Sequence, residues 1–310
     1  MKELKLISVN ISREKGTLKK PCKTVKIGME GIAGDAHAGS WHRQISLLSK
    51  ESIEEFAYIT GREYLPGEFA ENLTISGMKM NECRLGDIIE GQNIKLMITQ
   101  IGKRCHGGGC AVFKESGACV MPKEGIFAKV IKAGELSEGE TLIYKPRDFK
   151  IAVITLSTRA SAGEYPDKSG PEILNHLQNF GSAGNRGCDL RYRLIPDSSD
   201  LLHAIIREFT EERCDFIFTT GGTGVGPSDI TPEVVKAHLD YEIPGVMEYI
   251  RVKYGTSLPA ALLSRGVAGI CGDTFIFTLP GSVKAVNEYM SEITPLMEHL
   301  FCMRMGLDTH

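Results

Sequence analysis

No apolar run in this chain approaches the roughly 20 residues that a membrane helix needs, so the chain is not expected to span a bilayer. Its start, Met-Lys-Glu-Leu-Lys-Leu-Ile, also lacks the long apolar core and cleavage site of a signal peptide. Charge of one sign is not in excess: 36 basic and 39 acidic side chains leave a formal net charge of -3, which gives no basic field for nucleic acid. The nine cysteines include no Cys-x-x-Cys pair, and an odd number spread along a chain without a secretion signal fits reduced thiols and a cytoplasmic location. No glycine loop ends in Gly-Lys-Ser/Thr and no Gly-x-Gly-x-x-Gly opens a domain, which excludes the usual nucleotide signatures. Repeats and low-complexity tracts are missing as well. What is there is an ordinary soluble composition, 42% hydrophobic and 24% charged, over 310 residues, a length that predicts two domains.

From Leu4 to about Tyr144, short strand-like runs alternate with glycine turns: Leu6 to Ile11, Thr24 to Ile27, Gln44 to Leu48, Leu73 to Ile75 and Ile94 to Ile101. One helix interrupts them, Lys50 to Ile59, with Gly61 as its stop. This half reads as a mainly β barrel or sandwich. A boundary falls near Tyr144-Lys145-Pro146-Arg147-Asp148, giving domains over residues 1–147 and 148–310. Beyond it, Phe149 to Ser157 is a near-continuous apolar strand, followed by alternating helices (Pro171 to Leu177, Leu201 to Thr210, Val283 to His299) and strands (Leu190 to Ile195, Asp215 to Phe218, Val267 to Cys271, Thr274 to Leu279). That alternation predicts an open, mostly parallel α/β sheet with ligand bound past its strand ends.

The stretch Phe218 to Pro232 is the most informative in the chain. Strand, glycine loop and helix follow one another, the helix opening at Thr231 as N-cap and Pro232. Gly221, Gly222, Gly224 and Gly226 bring backbone N–H groups close to an oxyanion, and Thr219, Thr220, Thr223 and Ser228 add hydroxyls. Asp229 beside such a cradle is unfavourable unless a cation lies between, which points to Mg²⁺. Ser157-Thr158-Arg159, Asp167-Lys168-Ser169-Gly170, Ile195-Pro196-Asp197 and Leu279-Pro280-Gly281-Ser282 also sit at or just past strand ends. Arg159, Arg265 and Lys284 read either as phosphate contacts or as solvated surface charge.

In the first half, Gly31-Ile32-Ala33-Gly34-Asp35-Ala36-His37-Ala38-Gly39, Pro66 to Leu73, Gly86-Asp87 and Thr99-Gln100 to Cys105-His106 together resemble the MOSC domain shared with molybdenum cofactor sulfurases. The resemblance implies a β-barrel-like fold holding molybdenum cofactor or a sulfur species near Cys105, with molybdenum as a ligand-bound alternative there and Asp35 and His37 lining the site. Lys103, Arg104 and His106 beside Cys105 favour its thiolate. Arg104 replaces the family's usual proline, and the spacing of Cys105 and Cys110 fits no standard zinc site.

In the second half, Asp167-Lys168-Ser169-Gly170, Asp197, Thr220 to Gly224, Asp229 to Pro232 and Leu279 to Ser282 resemble the molybdopterin adenylyltransferase family, relatives of the gephyrin G domain; Val283 stands where that family commonly has proline. The resemblance implies Mg-ATP-dependent adenylylation of molybdopterin, with Asp197 and Asp229 binding magnesium and nucleotide. Thr220, Gly221, Gly222, Thr223, Gly224, Ser228, Asp167, Ser169, Gly281 and Ser282 would hold ligand. A homo-oligomer, a trimer by analogy, and apo-molybdoenzymes or a sulfur donor as partners are further implications. The alternatives are a non-catalytic cofactor carrier and, in the MOSC half, a molybdenum-dependent reductase of N-hydroxylated compounds.

Overall fold

Eleven strands run through the N-terminal half of the computed structural model, which describes residues 1–103, 119–183 and 186–307. They are β1 (Lys2–Ile11), β2 (Lys20–Cys22), β3 (Thr24–Gly28), β4 (Gly31–Ile32), β5 (Ile45–Ser49), β6 (Leu73–Ser76), β7 (Ile88–Glu90), β8 (Lys95–Ile101), β9 (Ile126–Lys132), β10 (Gly134–Ser137) and β11 (Thr141–Lys145). Cys105 and Cys110 lie outside the described residues. By packing, the chain divides into Met1–Arg147 together with the residues from Cys302 on, and Asp148–Phe301.

The order β11-β7-β8-β9-β5-β6-β1 closes on itself because β1 also pairs with β11, so seven strands form a barrel, and β2 extends the sheet beyond β1. Closure leaves no unpaired edge in the ring, which is what decides barrel over sandwich. β5 and β6 are parallel neighbours, and a parallel pair needs a crossover. The helix Lys50–Thr60 supplies it, capped by Ser49, whose hydroxyl accepts from Ser52 N at 3.1 Å, and ended by Gly61 at φ +66°. Alternate residues such as Leu4 and Leu6, Leu96 and Ile98, and Ala128 and Val130 fill the interior.

The second unit is built on β12 (Phe149–Leu156), β13 (Cys188–Ile195), β14 (Phe216–Thr220), β15 (Tyr241–Glu242), β16 (Ala268–Cys271) and β17 (Thr274–Leu279), in the order β13-β12-β14-β17-β16-β15. The first four are parallel, and β16 and β15 run antiparallel at one edge. Register pairs Phe216 with Phe275 and Phe218 with Phe277, and both pairs stack at 5.5 Å between ring centroids. Each such pair adds about 0.5–1.5 kcal/mol to its burial, so β14 is firmly fixed under the loop it carries. On the opposite face Ile217 and Ile276 meet Leu202, Ile206 and Phe209 of the helix Ser199–Glu211.

The expected helix from Val283 to His299 is broken: it runs Val283–Ile293, passes a tight turn at Thr294–Leu296 and resumes as Met297–Arg304. Pro295 has no N–H for the helical ladder and clashes with the preceding turn. The helix Pro244–Gly255 leaves no clear period in the sequence, because its inward side is narrow, chiefly Met247 and Ile250, while Tyr249 and Val252 are exposed. Among the described residues no helix is long and apolar enough to cross a membrane.

Candidate functional site

The chain leaves β12 toward β13 on one side and then returns across β12 to β14 on the other. The crevice of this sheet therefore opens between the carboxyl ends of β12 and β14. Two loops at these strand ends, the one after β14 and the one after β17, are fixed to each other by hydrogen bonds. Gly221 N donates to Leu279 O at 3.0 Å, tying the glycine loop to the end of β17. Thr220 Oγ1 donates to Pro280 O at 2.9 Å, and Thr231 Oγ1 donates to Gly221 O at 2.9 Å. Thr231 is not the N-cap that the sequence suggests: the helix Thr231–Lys236 begins with it, and its hydroxyl turns back to the glycine loop instead. A Cβ on Gly222 would lie 2.6 Å from that hydroxyl and one on Gly224 2.8 Å from Asp229 Oδ2, so the loop has room for backbone only.

Asp229 and Asp197 are half-buried at two corners of this crevice. Gly226 N donates to Asp229 Oδ2 at 2.7 Å, and Thr158 donates to Asp197 Oδ2 through both N (2.9 Å) and Oγ1 (2.8 Å). The helix Ser199–Glu211 is capped by Ser198, whose hydroxyl accepts from Leu201 N, and not by Asp197. Among the described residues neither Asp197 Oδ1 nor Asp229 Oδ1 accepts a hydrogen bond. Two hard oxygens are thus left for a ligand, a donor type that suits Mg²⁺.

Asp167 is different. Its oxygens accept from Thr155 Oγ1, Ser169 N and Oγ, Gly170 N and Tyr192 OH at 2.6–3.1 Å. Burial pushes its pKa up, but these donors, Tyr192 first, outweigh it and hold the carboxyl below its ordinary value. Burial and the same bond push the Tyr192 hydroxyl up to about 12. Asp167 is spent on fixing the start of the helix Ser169–Ser182. Tyr192 has no signal in the sequence, because only the pairing of β12 with β13 brings it to Asp167.

Arg265, part-exposed, clamps the glycine loop. Its Nε donates to Gly224 O and its Nη2 to Asp229 O, both at 2.5 Å, and it pairs with Glu233. Among the described residues two cavities are lined in part by the loop, and a third adjoins them. One of about 510 Å³ includes Asp229, Arg265 and Val225; one of about 470 Å³ includes Ser157, Asp167, Ser169 and Gly281; one of about 610 Å³ includes Thr223, Gly224, Val225, Gly281 and Ser282. Val225 of the loop is shared by the first and third cavities, and Gly281 by the second and third. Ser228 is exposed beside it, and Ser282 caps the helix Val283–Ile293 by accepting from Ala285 N at 3.2 Å.

In the barrel unit, Asp35 and His37 fall on the loop after β4. Asp35 is buried and accepts from Lys19 Nζ (2.5 Å), Ser12 N (3.1 Å) and His37 N (3.0 Å), while His37 Nδ1 stands 3.5 Å from both Asp35 Oδ1 and Lys19 Nζ. Burial raises the Asp35 pKa but is outweighed by the bonds from His37 and Lys19, and the carboxyl is held well below its usual range. Burial drags the Lys19 ammonium's pKa down, against the pull of Asp35. Nothing in a Lys-Lys-Pro turn marks one lysine as buried, so the sequence does not single out Lys19. Lys19→Met is expected to destabilise the barrel by about 3–5 kcal/mol in urea unfolding, because it leaves a buried carboxylate unpaired. The depressed Asp35 pKa stabilises the fold above the unfolded value near 4 and loses that contribution as pH falls below it. The variant should therefore show a shallower loss of stability than the parent as pH falls from about 4 toward the depressed folded-state value of Asp35.

Fold and site together define an open-sheet α/β protein with a glycine-rich loop and two part-buried carboxylates past the carboxyl ends of its strands, carried in one chain with a closed β-barrel. Known proteins compare as follows. Residues 152–299 match the family described as a probable molybdopterin binding domain, and residues 34–142 match the MOSC domain. Molybdopterin adenylyltransferase of Helicobacter pylori (strain J99) is 34% identical over 157 residues, covering 50% of this chain and 88% of that protein. Gephyrin of Dictyostelium discoideum is 36% identical over 173 residues, 54% of this chain but only 24% of gephyrin, so the chain spans about a quarter of that relative. The solved molybdopterin biosynthesis enzyme MoaB of Thermus thermophilus is 34% identical, with 51% of this chain and 97% of that chain covered and a TM-score of 0.47. The chain belongs to the molybdopterin-binding family that includes the molybdopterin adenylyltransferases, with a MOSC domain ahead of it, among the proteins of molybdenum cofactor biosynthesis.

Proposed function

We propose that the C-terminal domain transfers AMP from ATP to the terminal phosphate of molybdopterin, and that the N-terminal domain handles cofactor or sulfur at Cys105. The observation that carries the first reading is the meeting, at one switch point, of a backbone-only glycine loop with two carboxylates that each keep an oxygen without a protein partner among the described residues. A phosphate oxygen of molybdopterin attacks the α-phosphorus of ATP; the bond from that phosphorus to the bridging oxygen breaks, and pyrophosphate leaves with the electron pair. The attacking oxygen is already ionised, so no general base is required and the barrier is charge repulsion and alignment.

Gly222 to Gly224 and the helix start at Ser282 would offer N–H groups to the phosphates, while the Gly221 N–H is held by Leu279 O. Asp197 and Asp229 would hold Mg²⁺, which when bound supplies charge neutralisation to the transferring phosphoryl group. Arg265 keeps the loop in shape through Gly224 O and Asp229 O, and Asp167 with Tyr192 sets the opposite wall. The test is pyrophosphate release from Mg·ATP on adding molybdopterin. Molybdopterin-dependent release supports the transferase; bound molybdopterin without release would reduce this half to a carrier. For the other half, molybdenum carried by the purified protein and lost in Cys105→Ala would identify a metal ligand, whereas metal-free protein bearing a persulfide would identify sulfur handling.

A further inference from the structure

Away from the crevice, two half-buried imidazoles face each other. His203 lies on the helix Ser199–Glu211, and His238 lies just past the helix Thr231–Lys236. His203 Nδ1 and His238 Nε2 are 2.8 Å apart, one ring donating its N–H to the other's lone pair, and the ring centroids are 4.9 Å apart. Among the described residues no other hydrogen bond and no ion pair joins residues 199–211 to residues 231–240. Leu202 and Ile206 of the first segment share an apolar cluster with Val234 and Val235 of the second. Apolar burial has no direction, so it holds two helices together without fixing how far one slides along the other. The imidazole bond is the directional contact between them.

Each of these helices starts beside one of the two carboxylates. Asp197 precedes the cap Ser198, and Asp229 stands two residues before Thr231, whose hydroxyl holds Gly221 O. The two helix starts line one cavity, Ser199 from the first and Asp229, Ile230 and Glu233 from the second. A slide between the helices therefore changes the gap between Asp197 and Asp229, and Mg²⁺ tolerates little departure from octahedral geometry. We infer that His203 and His238 are positioning residues whose mutual bond sets the spacing of Asp197 and Asp229 for one divalent cation. This rests on the two carboxylates holding one cation in the reaction proposed above.

The bond also makes that spacing sensitive to acid, since two charged imidazolium rings have no lone pair to share and repel. Burial, then His203, then Arg207 hold the His238 pKa below its ordinary value. The unfolded chain thus takes up that proton first. The contribution of a neutral His238 is fully present above about pH 6.5 and is lost as pH falls through the lower folded value. Asp200 and Arg207 flank His203 along its helix, and Lys236 and Asp240 flank His238. Lys236 stands 3.4 Å from Glu242, and Asp240 accepts from Gly272 N at 2.7 Å. Arg207 is the charge that acts on His238, and its sign favours the neutral ring.

The test is Mn²⁺ binding by the full chain, with free Mn²⁺ counted by electron paramagnetic resonance. At about pH 7.5, His203→Ala and His238→Ala should each weaken Mn²⁺ binding by about 3–10-fold, the range of one hydrogen bond. The double variant should be no weaker than either single one, because the second change removes a bond already gone. His238→Gln should restore the wild-type affinity: its amide reaches the place of the imidazole Nε2 and can pair with His203 as donor or acceptor. Between about pH 7.5 and 5.5 the wild type should lose affinity more steeply than His238→Gln, while the carboxylates contribute alike to both. Wild-type affinity in His238→Ala overturns the inference, as do equal affinities in His238→Ala and His238→Gln, equal pH slopes in His238→Gln and wild type, or a wild type that binds no Mn²⁺. In the pyrophosphate assay His238→Ala should raise the Mg²⁺ concentration at half-maximal rate and leave the KM for molybdopterin unchanged. Pair-dependent Mn²⁺ binding without pyrophosphate release in the wild type sinks the transferase reading alone. Pyrophosphate release with a Mn²⁺ affinity that no change at the pair moves sinks the positioning role alone.

Discussion

Asp229→Asn is expected to lower molybdopterin-dependent pyrophosphate release by about 10²–10³-fold while molybdopterin stays bound and the protein stays folded. The substitution is nearly isosteric. An amide oxygen can still accept from Gly226 N, now at 2.7 Å, so the loop keeps its turn and only the negative charge is lost. Asp197→Asn should behave alike for the same reason: Thr158 N and Oγ1 can still donate to the amide oxygen. If both carboxylates serve one cation, the double variant will be scarcely worse than either single one, because the second change removes an interaction already gone. Raising the Mg²⁺ concentration should restore part of the rate in each single variant. Full activity in Asp229→Asn at limiting Mg²⁺ would eliminate the proposed role of that residue.

Gly221→Ala is expected to cost about 2–5 kcal/mol and to abolish ligand binding with it. Gly221 has φ +98°, where an L side chain pays about 1–2 kcal/mol, and the new Cβ would run into the backbone carbonyl of Leu156 at the end of β12. Forcing a methyl into a packed place adds roughly 1–3 kcal/mol. The alternative is to open the Gly221 N to Leu279 O bond that ties the loop to β17. Gly163→Ala is the control, since Gly163 shares the left-handed backbone (φ +80°) but a Cβ there meets nothing within 4 Å. It should lose only the conformational part, and the difference in urea midpoint between the two variants measures the crowding at the loop. Equal midpoints would mean that the close approach of the glycine loop to β12 is not what fixes its shape. Against a total stability of about 5–15 kcal/mol, the larger cost is enough to unfold much of the protein near its working temperature.

These two experiments act on residues that the sequence itself marks. Periodicity locates the barrel's strands β1, β5 and β6, the α/β alternation after Asp148 and the turn at Gly61, because a strand's alternation and a glycine's backbone freedom are local properties that survive without tertiary context. The same holds for the glycine loop and its order of strand, loop and helix. Asp197 and Asp229 are legible through their place after strand ends, and the resemblances carried by these motifs name the family. Closure of the barrel is not legible, since it depends on β1 finding β11 across almost the whole of the first unit.

Nor could the sequence sort the charges by the work they do. Asp167, Asp197 and Asp229 look equivalent as loop aspartates, yet five donors satisfy Asp167 while the other two each keep an oxygen free of protein donors among the described residues. Arg265 and Lys19 look like solvated cations, but one clamps loop carbonyls and the other is buried on Asp35. The local chain determines which groups are present and which turns they occupy. Only the pairing of distant strands decides which donors reach a carboxylate first, and so which carboxylates are left for a ligand.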